Sequence, residues 1–356
     1  MPTLVNAFGT PAAGEPLAPI AIERRDVGAH DVCLDILYCG ICHSDIHFAR
    51  GEFGPLPVSP LVPGHEIVGT VTEIGSEVAK HKVGDRVGIG CMVNSCRECV
   101  NCLAGQEQYC LGGNTLVFGS PDRDGTITQG GYSQTIVADE DFVLRVPESL
   151  DPASAAPLLC AGITVYSPLA HWKVGPGSKV AIVGLGGLGH LGVKIAEAMG
   201  AEVTVLSQSL QKKDDGLRLG ADHYYATGDP ETFTALANSF DVILNTVSAP
   251  VNVDAFLSLL ALDGVLVNAG APAEPMSVNV FSLFGNRRSY AGTQYGSIRE
   301  TQEMLDFCAE HGVTADVELI EAPRINEAFD RVLASDVRYR FVIDAASFPD
   351  PARRRG

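Results

Sequence analysis

The sequence predicts an α/β protein with two domains, a β-rich domain followed by a doubly wound parallel sheet. The chain has 356 residues, which is more than one hydrophobic core comfortably serves. Its first third contains short apolar runs separated by glycine and proline, and from about Ser178 such runs alternate with helical periodicity. Strands that alternate with helices along a chain form a parallel sheet covered by helices.

Individual elements follow from apolar runs that end at turn residues. In the first part, the predicted strands are Val32–Tyr38, Ile67–Ile74 and Arg86–Ile89. In the second part, they are Lys179–Val183, Glu202–Leu206, His223–Ala226, Asp241–Val247 and Gly264–Asn268. Apolar residues that recur every three or four positions predict helices at Leu188–Met199 and Arg299–His311. The polar end, Pro349–Gly356, is expected to fray.

Charge and hydropathy narrow the choice of partners. With 43 acidic against 25 basic residues, the formal net charge is −18. A strongly negative protein repels phosphate backbones and anionic lipids, so we expect neither nucleic acid nor a membrane as a partner. The chain has no signal-like start and no apolar run long enough to span a bilayer. We therefore expect a cytoplasmic protein, in which clustered cysteines bind metal rather than form disulfides.

Four cysteines lie close together in the sequence, with the spacing C-x2-C-x2-C-x7-C. They are Cys96, Cys99, Cys102 and Cys110. Four thiolates in short loops are the ligand set of a structural zinc ion. Free buried cysteines are the alternative, but the neighbouring residues are polar, and iron–sulfur clusters use other spacings. The spacing predicts a closed structural zinc site in a lobe at residues 91–112.

A second group of possible ligands is scattered along the chain. CGICHSD contains Cys39 and Cys42, PGHEIVG contains His65 and Glu66, and PLLCAG contains Cys160. Each is weak alone, because a single histidine or buried cysteine is more often structural. Ligands that are far apart in sequence are typical of a catalytic zinc with one open coordination position. We predict such a site, and the spacing leaves the choice between Cys39 and Cys42 open.

The stretch KVAIVGLGGLGHLG has the pattern G-x-G-x-x-G directly after a predicted strand and at the start of a helix. In that context the pattern predicts a dinucleotide site, where a helix N-terminus meets the pyrophosphate. A tight turn without a ligand is the alternative. The predicted contact residues are Gly184, Gly186, Gly187, Leu188 and Gly189.

The end of the next predicted strand indicates which dinucleotide is preferred. An acidic residue there would hold the ribose diol of NAD. This chain instead has Ser207, followed by Gln208, Ser209, Lys212 and Lys213. Hydroxyl and ammonium groups favour a 2′-phosphate, so we predict NADP(H). The alternative is a solvated loop that binds nothing.

These motifs, together with PLLCAGITVYSPL and GLGGLGHLGVKIAEAMGA, occur in the order found in zinc-dependent medium-chain alcohol dehydrogenases. The chain most resembles their cinnamyl-alcohol-dehydrogenase-like branch, which includes bacterial aldehyde reductases. The resemblance covers nearly the whole chain. It implies a GroES-like catalytic domain at residues 1–158, a Rossmann domain at 159–295, and a return to the catalytic domain at 296–356.

The resemblance also implies roles for single residues. Cys42, His65 and Cys160 match the catalytic-zinc ligands, and Glu66 matches a carboxylate that can enter the coordination shell.

Around these ligands, Asp45 matches a residue that orients the histidine ligand. Ser44 and His47 match a proton relay that Glu52 extends, and Thr164 matches a residue beside the nicotinamide.

The predicted function is hydride transfer between NADP(H) and an aldehyde or primary alcohol, with broad aldehyde reduction, two zinc ions per chain, and a homodimer or homotetramer as the assembly. The runner-up is an NAD-dependent secondary alcohol or polyol dehydrogenase. Two other classes stay open, a non-catalytic protein on the same fold and a zinc-lobe nucleic-acid binder, and the intact ligand set and the acidic charge respectively disfavour them. The only tryptophan, Trp172, lies outside the stretch where plant lignin enzymes carry one, which disfavours a dedicated cinnamyl-aldehyde role.

Overall fold

The computed structural model describes residues 3–272 and 274–349. The chain forms two compact units: Met1–Cys160 with Gly296–Gly356, and Ala161–Tyr295. The first sequence-based boundary, after residue 158, lies two residues before this division, and the second, after residue 295, coincides with it. The predicted fraying of the C-terminal end lies outside the described residues from position 350 onward.

The first unit is built mainly from antiparallel strands. Its strands are β1 (Thr3–Gly9), β2 (Ala18–Arg24), β3 (Asp31–Gly40), β4 (Ile67–Ile74), β5 (Arg86–Ile89), β6 (Met92–Asn94), β7 (Thr115–Leu116), β8 (Thr135–Asp139), β9 (Leu144–Arg145), β16 (Val317–Glu321) and β17 (Arg340–Asp344). Its helices are α1 (His43–Ala49), α2 (Val100–Leu103), α3 (Pro152–Ala155), α10 (Ile298–His311) and α11 (Ile325–Leu333).

Strand β3 is the centre of this unit. In the described part of the chain, the main sheet has the order β16-β17-β3-β4-β5-β9, and β8 also pairs with β3. Cys39 pairs with Ile67 of β4, and Gly40 pairs with Val342 of β17, both in antiparallel register. The end of β3 therefore lies beside the beginnings of β4 and β17. This register brings three sequence-distant segments to one edge of the sheet, where the candidate site lies.

The second unit is an α/β layer structure. Its strands are β10 (Lys179–Val183), β11 (Glu202–Ser207), β12 (His223–Ala226), β13 (Phe240–Asn245), β14 (Leu260–Asn268) and β15 (Ser289–Gly292). Its helices are α4 (Ala161–His171), α5 (Gly189–Ala198), α6 (Lys213–Arg218), α7 (Pro230–Ala235), α8 (Val253–Ser258) and α9 (Val280–Phe284).

Within the residues that the structure describes, the strands of the second unit form one parallel sheet in the order β12-β11-β10-β13-β14-β15. The order reverses beside β10, as in doubly wound dinucleotide-binding sheets. Val180, Ile182, Val205 and Leu244 are fully buried, because strands covered on both faces by helices are apolar throughout. The predicted fold class is confirmed.

Most predicted boundaries hold to within two residues, and β14 is the clear exception. Gly264 is the predicted start of this strand, but β14 begins at Leu260, which pairs with Phe240 across a register shift. Asp263 has a positive φ of 63°, the left-handed conformation that interrupts a regular strand.

In the part of the chain that is described, no single helix is long and apolar enough to cross a membrane. One bent pair of helices, 152–159 with 161–171, reaches the necessary length and apolar composition only when the two are taken together.

Candidate active site and metal centres

Four buried side chains with metal-ligand character converge in the first unit. The ligand atoms of Cys42, His65, Glu66 and Cys160 all lie within 4.8 Å of one another. The sulfur atoms of Cys42 and Cys160 are 3.9 Å apart, and His65 Nε2 lies 3.2 Å from the Cys160 sulfur. Two sulfurs bound tetrahedrally to one zinc at ~2.3 Å would be about 3.8 Å apart. The donor set therefore fits zinc in both chemistry and spacing.

Local structure explains how each ligand reaches the group. Cys42 is the N-cap of α1 directly after β3, and His65 with Glu66 immediately precede β4. Cys160 follows a buried turn at residues 156–159 and is the last residue of the first segment of this unit. Cys39 is buried outside the group, where its sulfur contacts the carbonyl of Gly40 at 3.7 Å. The structure thus brings Cys42, rather than Cys39, to the other ligands.

The carboxylate of Asp45 orients the ligand residues through hydrogen bonds. Its Oδ1 accepts hydrogen bonds from His65 Nδ1 at 2.8 Å and from the Gly64 backbone at 3.0 Å. Its Oδ2 accepts from the Cys42 backbone at 2.9 Å and from the Tyr132 hydroxyl at 3.1 Å. Nδ1 of His65 contacts this carboxylate, so Nε2 is the ring nitrogen that faces the thiols.

Glu66 is paired on one oxygen only. Oε1 forms a buried ion pair with Arg340 at the start of β17, and Oε2 is buried without a hydrogen-bond partner in the described chain. Burial raises the pKa of Glu66 to about 7, although Arg340 acts in the opposite direction. A Cβ at Gly40 would lie 1.9 Å from Oε2, so only glycine leaves room for this carboxylate. A buried acceptor with spare capacity beside two thiols suits a cation.

The pKa values of the Cys42 and Cys160 thiols are shifted in opposite directions. The hydrogen bond with Cys160, followed by His65, lowers the pKa of Cys42 well below its ordinary value. The same contact raises the pKa of the Cys160 thiol. One sulfur of the pair is therefore the more acidic, and a bound cation would allow both to be thiolates.

The predicted relay residues lie on the first turns of α1. Ser44 Oγ is 3.9 Å from the Cys42 sulfur, and His47 follows three residues later on the helix. His47 Nδ1 contacts Glu52 Oε2 at 2.5 Å, and the half-exposed Glu52 side chain leads outward to solvent. Thr164 is half-buried on α4 of the second unit.

The four clustered cysteines form a second donor group. The ligand atoms of Cys96, Cys99, Cys102 and Cys110 lie within 4.8 Å of one another, and the sulfurs of Cys96 and Cys102 are 3.9 Å apart. Backbone N–H groups of Cys99 and Cys102 point at the sulfurs of Cys96 and Cys99, at 3.3 and 3.5 Å. Such hydrogen bonds, the one from Cys102 foremost, lower the pKa of Cys99 to about 6. All four donors are protein thiols, so this set fits a closed structural zinc.

The three fingerprint glycines of the second unit have different local roles. Gly184 has a positive φ of 89°, which favours glycine, at the turn after β10. A Cβ at Gly189 would lie 2.0 Å from the Gly184 carbonyl oxygen, whereas a Cβ at Gly186 would meet no atom within 4 Å. The open space at Gly186 fits a pyrophosphate that approaches the backbone. Gly187 and Leu188 complete the half-buried turn.

The residues predicted to select NADP(H) follow β11. Ser207 is the last residue of the strand and is half-buried, and Gln208 and Ser209 are exposed. The ammonium group of Lys212 donates to the carbonyl of Leu185 in the glycine turn at 3.0 Å. That contact joins the two predicted cofactor segments within one unit.

Sequence reasoning did not find two residues that contact the catalytic group from behind its ligands, Arg340 and Tyr132. Arg340 was embedded in the run RFVIDA, where a charged residue at the head of an apolar strand was the available signal. Tyr132 follows two glycines in TQGGYS, and a tyrosine in such a context carries no signal of its own. The Tyr132 contact joins residues 87 positions apart in the sequence, and the Arg340 contact joins residues 274 positions apart.

Comparisons with known proteins agree on one class. Residues 28–148 match the model of the alcohol dehydrogenase GroES-like domain, and residues 187–310 match that of the zinc-binding dehydrogenases. The chain is 63% identical over 344 residues to the NADP-dependent alcohol dehydrogenase C 1 of Mycolicibacterium smegmatis, covering 96% of this chain and 98% of that protein.

Two further likenesses extend the comparison. The chain is 51% identical to an aldehyde reductase of Escherichia coli (strain K12), over 97% of this chain and 99% of that protein. It is also similar to a solved cinnamyl alcohol dehydrogenase of Sorghum bicolor, with a TM-score of 0.94 and 43% identity over 98% of this chain and 100% of that one.

Proposed function

The chain belongs to the zinc-binding alcohol dehydrogenases with a GroES-like domain, and we propose that it transfers hydride between NADP(H) and an aldehyde or primary alcohol. The observation that carries this proposal is the buried convergence of Cys42, His65, Glu66 and Cys160. Three strong donors and one half-paired carboxylate leave a coordination position for a substrate oxygen. The first unit is then the catalytic domain and the second the cofactor domain.

Two zinc ions per chain fit the two donor groups. Cys42, His65 and Cys160 would hold the catalytic ion, and Glu66 would be able to enter its coordination shell. The four-cysteine group, Cys96, Cys99, Cys102 and Cys110, would hold the structural ion. When both cofactors are bound, zinc supplies a Lewis acid for the carbonyl oxygen, and the reduced nicotinamide supplies the hydride.

Residues of the chain itself then handle the proton. The hydroxyl of Ser44, close to the Cys42 sulfur, donates a proton to the substrate oxygen during reduction. His47 resupplies that proton from solvent, assisted by Glu52, with which it is in contact. In alcohol oxidation the same groups carry the proton outward. Asp45 keeps His65 in one tautomer throughout.

The cofactor assignment combines two kinds of support. The glycine turn provides the pyrophosphate site at Gly184, Gly186, Gly187, Leu188 and Gly189, and Thr164 is assigned to the nicotinamide side. The serines, glutamine and lysine after β11 would receive the 2′-phosphate: Ser207, Gln208, Ser209 and Lys212. Relatives named as NADP-dependent support the same preference. Two solved structures named with NAD are only 25% and 21% identical to the chain, so they weigh less for the NAD-dependent alternative than the relatives at 60–63% weigh for NADP(H).

The substrate range and setting are also proposals. Relatives named as an alcohol dehydrogenase and an aldehyde reductase support broad aldehyde reduction. We place the protein in the cytoplasm, because both proposed zinc sites need reduced thiolates as ligands and a reducing compartment maintains them. A homodimer or homotetramer is the expected assembly, which light scattering on the purified protein measures.

Paired cysteine substitutions test the catalytic assignment. Cys42→Ser removes one ligand of the open set, so zinc content should fall from two ions per chain to one and aldehyde reduction should be lost, while NADPH titration stays normal. Cys39→Ser, three residues away and equally buried, is the matched control and should keep both zinc ions and activity. An active Cys42→Ser enzyme that holds one zinc would refute the assignment. Rates on an aldehyde panel with NADPH and NADH test the cofactor preference on the same preparations.

A further inference from the structure

Tyr132 is a fully buried tyrosine whose hydroxyl contacts the carboxylate behind the candidate zinc site. It lies between β7 and β8, far in sequence from both segments that carry the first two ligands. Its hydroxyl donates to Asp45 Oδ2 at 3.1 Å. Neither the tyrosine nor its hydroxyl has a part in the chemistry described above, so the contact calls for an explanation of its own.

The carboxylate of Asp45 is completely buried and accepts four hydrogen bonds, two on each oxygen. On Oδ1 the donors are the Gly64 backbone and the imidazole of His65; on Oδ2 they are the Cys42 backbone and Tyr132. Since a buried polar group without full hydrogen bonding is costly, each donor helps to hold the carboxylate in one orientation. Tyr132 completes the set on the oxygen that does not contact the imidazole.

The position of the hydroxyl does not depend on Asp45. The backbone N–H of Tyr132 donates to the Pro63 carbonyl at 2.9 Å, and its carbonyl accepts from Phe8 at 2.8 Å. Its ring packs against Gly64, where an added Cβ would lie 2.6 Å from Tyr132 Cδ1. On another side it lies near Phe329, with ring centroids 6.3 Å apart. The tyrosine is therefore also held in place by contacts that do not involve Asp45.

We propose that Tyr132 is a positioning residue for the metal centre. By fixing Asp45, it fixes the imidazole of His65, so that Nε2 stays aimed at the point between the sulfurs of Cys42 and Cys160. A fixed imidazole should slow the release of the metal from the ligand set of Cys42, His65 and Cys160. The inference rests on the proposed function, because it requires that the set holds zinc.

Metal release from the holoenzyme tests the proposal. A chromogenic chelator should withdraw zinc in two phases, and Cys42→Ser, which lacks the catalytic set, identifies the phase that belongs to it. Tyr132→Phe removes only the hydroxyl and should accelerate that phase roughly 10-fold, the scale for partners of metal-bound histidines, and leave the four-cysteine phase unchanged. Tyr339→Phe removes a hydroxyl from an equally buried tyrosine of the same unit and should change neither phase.

A double-mutant cycle separates positioning from general loosening of the fold. Asp45→Asn should accelerate the same phase, and adding Tyr132→Phe to it should have little further effect, because the hydroxyl acts through the carboxylate. Release from Tyr132→Phe at the wild-type rate, equal acceleration of both phases, or additive effects in the double variant would overturn the inference.

Failure of the proposed function has a different signature. A wild-type protein that binds a single zinc and does not reduce aldehydes with NADPH would remove the proposed function itself. A wild-type enzyme with two zinc ions and normal activity, together with an unaffected Tyr132→Phe variant, would remove only the inference about Tyr132.

Discussion

Two glycines of the fingerprint, Gly186 and Gly189, should affect different properties when each is replaced by alanine. Gly189→Ala should lower the stability of the protein, and Gly186→Ala should weaken the binding of NADPH. At Gly189, the new Cβ would lie 2.0 Å from the Gly184 carbonyl oxygen, so that backbone must retreat by about 1 Å. Overpacking of this kind costs ~1–3 kcal/mol of unfolding free energy, against at most ~1 kcal/mol gained from helix propensity. We therefore expect Gly189→Ala to be destabilised.

The Cβ of Gly186→Ala would meet no protein atom within 4 Å, so its unfolding free energy should stay within ~0.5 kcal/mol of wild type. That space is where the pyrophosphate is expected to approach, and NADPH should bind on the order of 10-fold more weakly, a loss of ~1.4 kcal/mol.

Both quantities can be measured on the same preparations. Urea unfolding of the cofactor-free protein can be followed by the fluorescence of Trp172, the single tryptophan, which lies in the same unit as the glycine turn. Titration with NADPH gives the dissociation constant. The reasoning is refuted if Gly189→Ala is as stable as wild type, or if Gly186→Ala binds NADPH with unchanged affinity.

Two further predictions concern ion pairs of the first unit. Arg340→Met leaves the Glu66 carboxylate buried without its counter-ion, so the unfolding free energy in urea titrations should fall by ~3–5 kcal/mol. Adding Glu66→Gln should restore much of the lost stability. Equal stability of Arg340→Met and wild type would contradict this prediction. Burial acts to raise the pKa of Asp31, but hydrogen bonds from Arg25 and the Gly28 backbone hold it below its ordinary value. Because a lowered pKa contributes stability above the unfolded value of ~3.9 and loses it as pH falls through the folded value, Asp31→Asn should be less stable than wild type at pH ~7, and the deficit should shrink toward pH ~3. A deficit in urea titrations that is constant over that range would show that the charge is not its source.

Features set by short stretches of chain could be predicted from the sequence. The lobe cysteines span 15 residues, and their spacing alone brings the sulfurs together. The glycine turn is likewise local, because β10, the turn and α5 are consecutive. Short apolar runs bounded by turn residues predicted β4 and β5 to the residue, because such runs form buried strands.

Features set by strand pairing could not be obtained from the residues alone. The ligand motifs suggested a zinc site, but its choice of Cys42 over Cys39 came only from the family resemblance, and the contacts of Arg340 and Tyr132 were missed. Cys42 follows β3, and His65 with Glu66 precede β4. These segments meet Arg340 of β17 because of the antiparallel register of the three strands.

The sequence by itself determined the donors, the cofactor turn and the order of strands and helices, because these depend on neighbours along the chain. Only the tertiary structure decided that these donors share one point in space, and that the buried residues Tyr132 and Arg340 contact Asp45 and Glu66 there. The physical reason is that contacts between distant segments follow from how whole strands pack, and that packing is a property of all the residues in the core together.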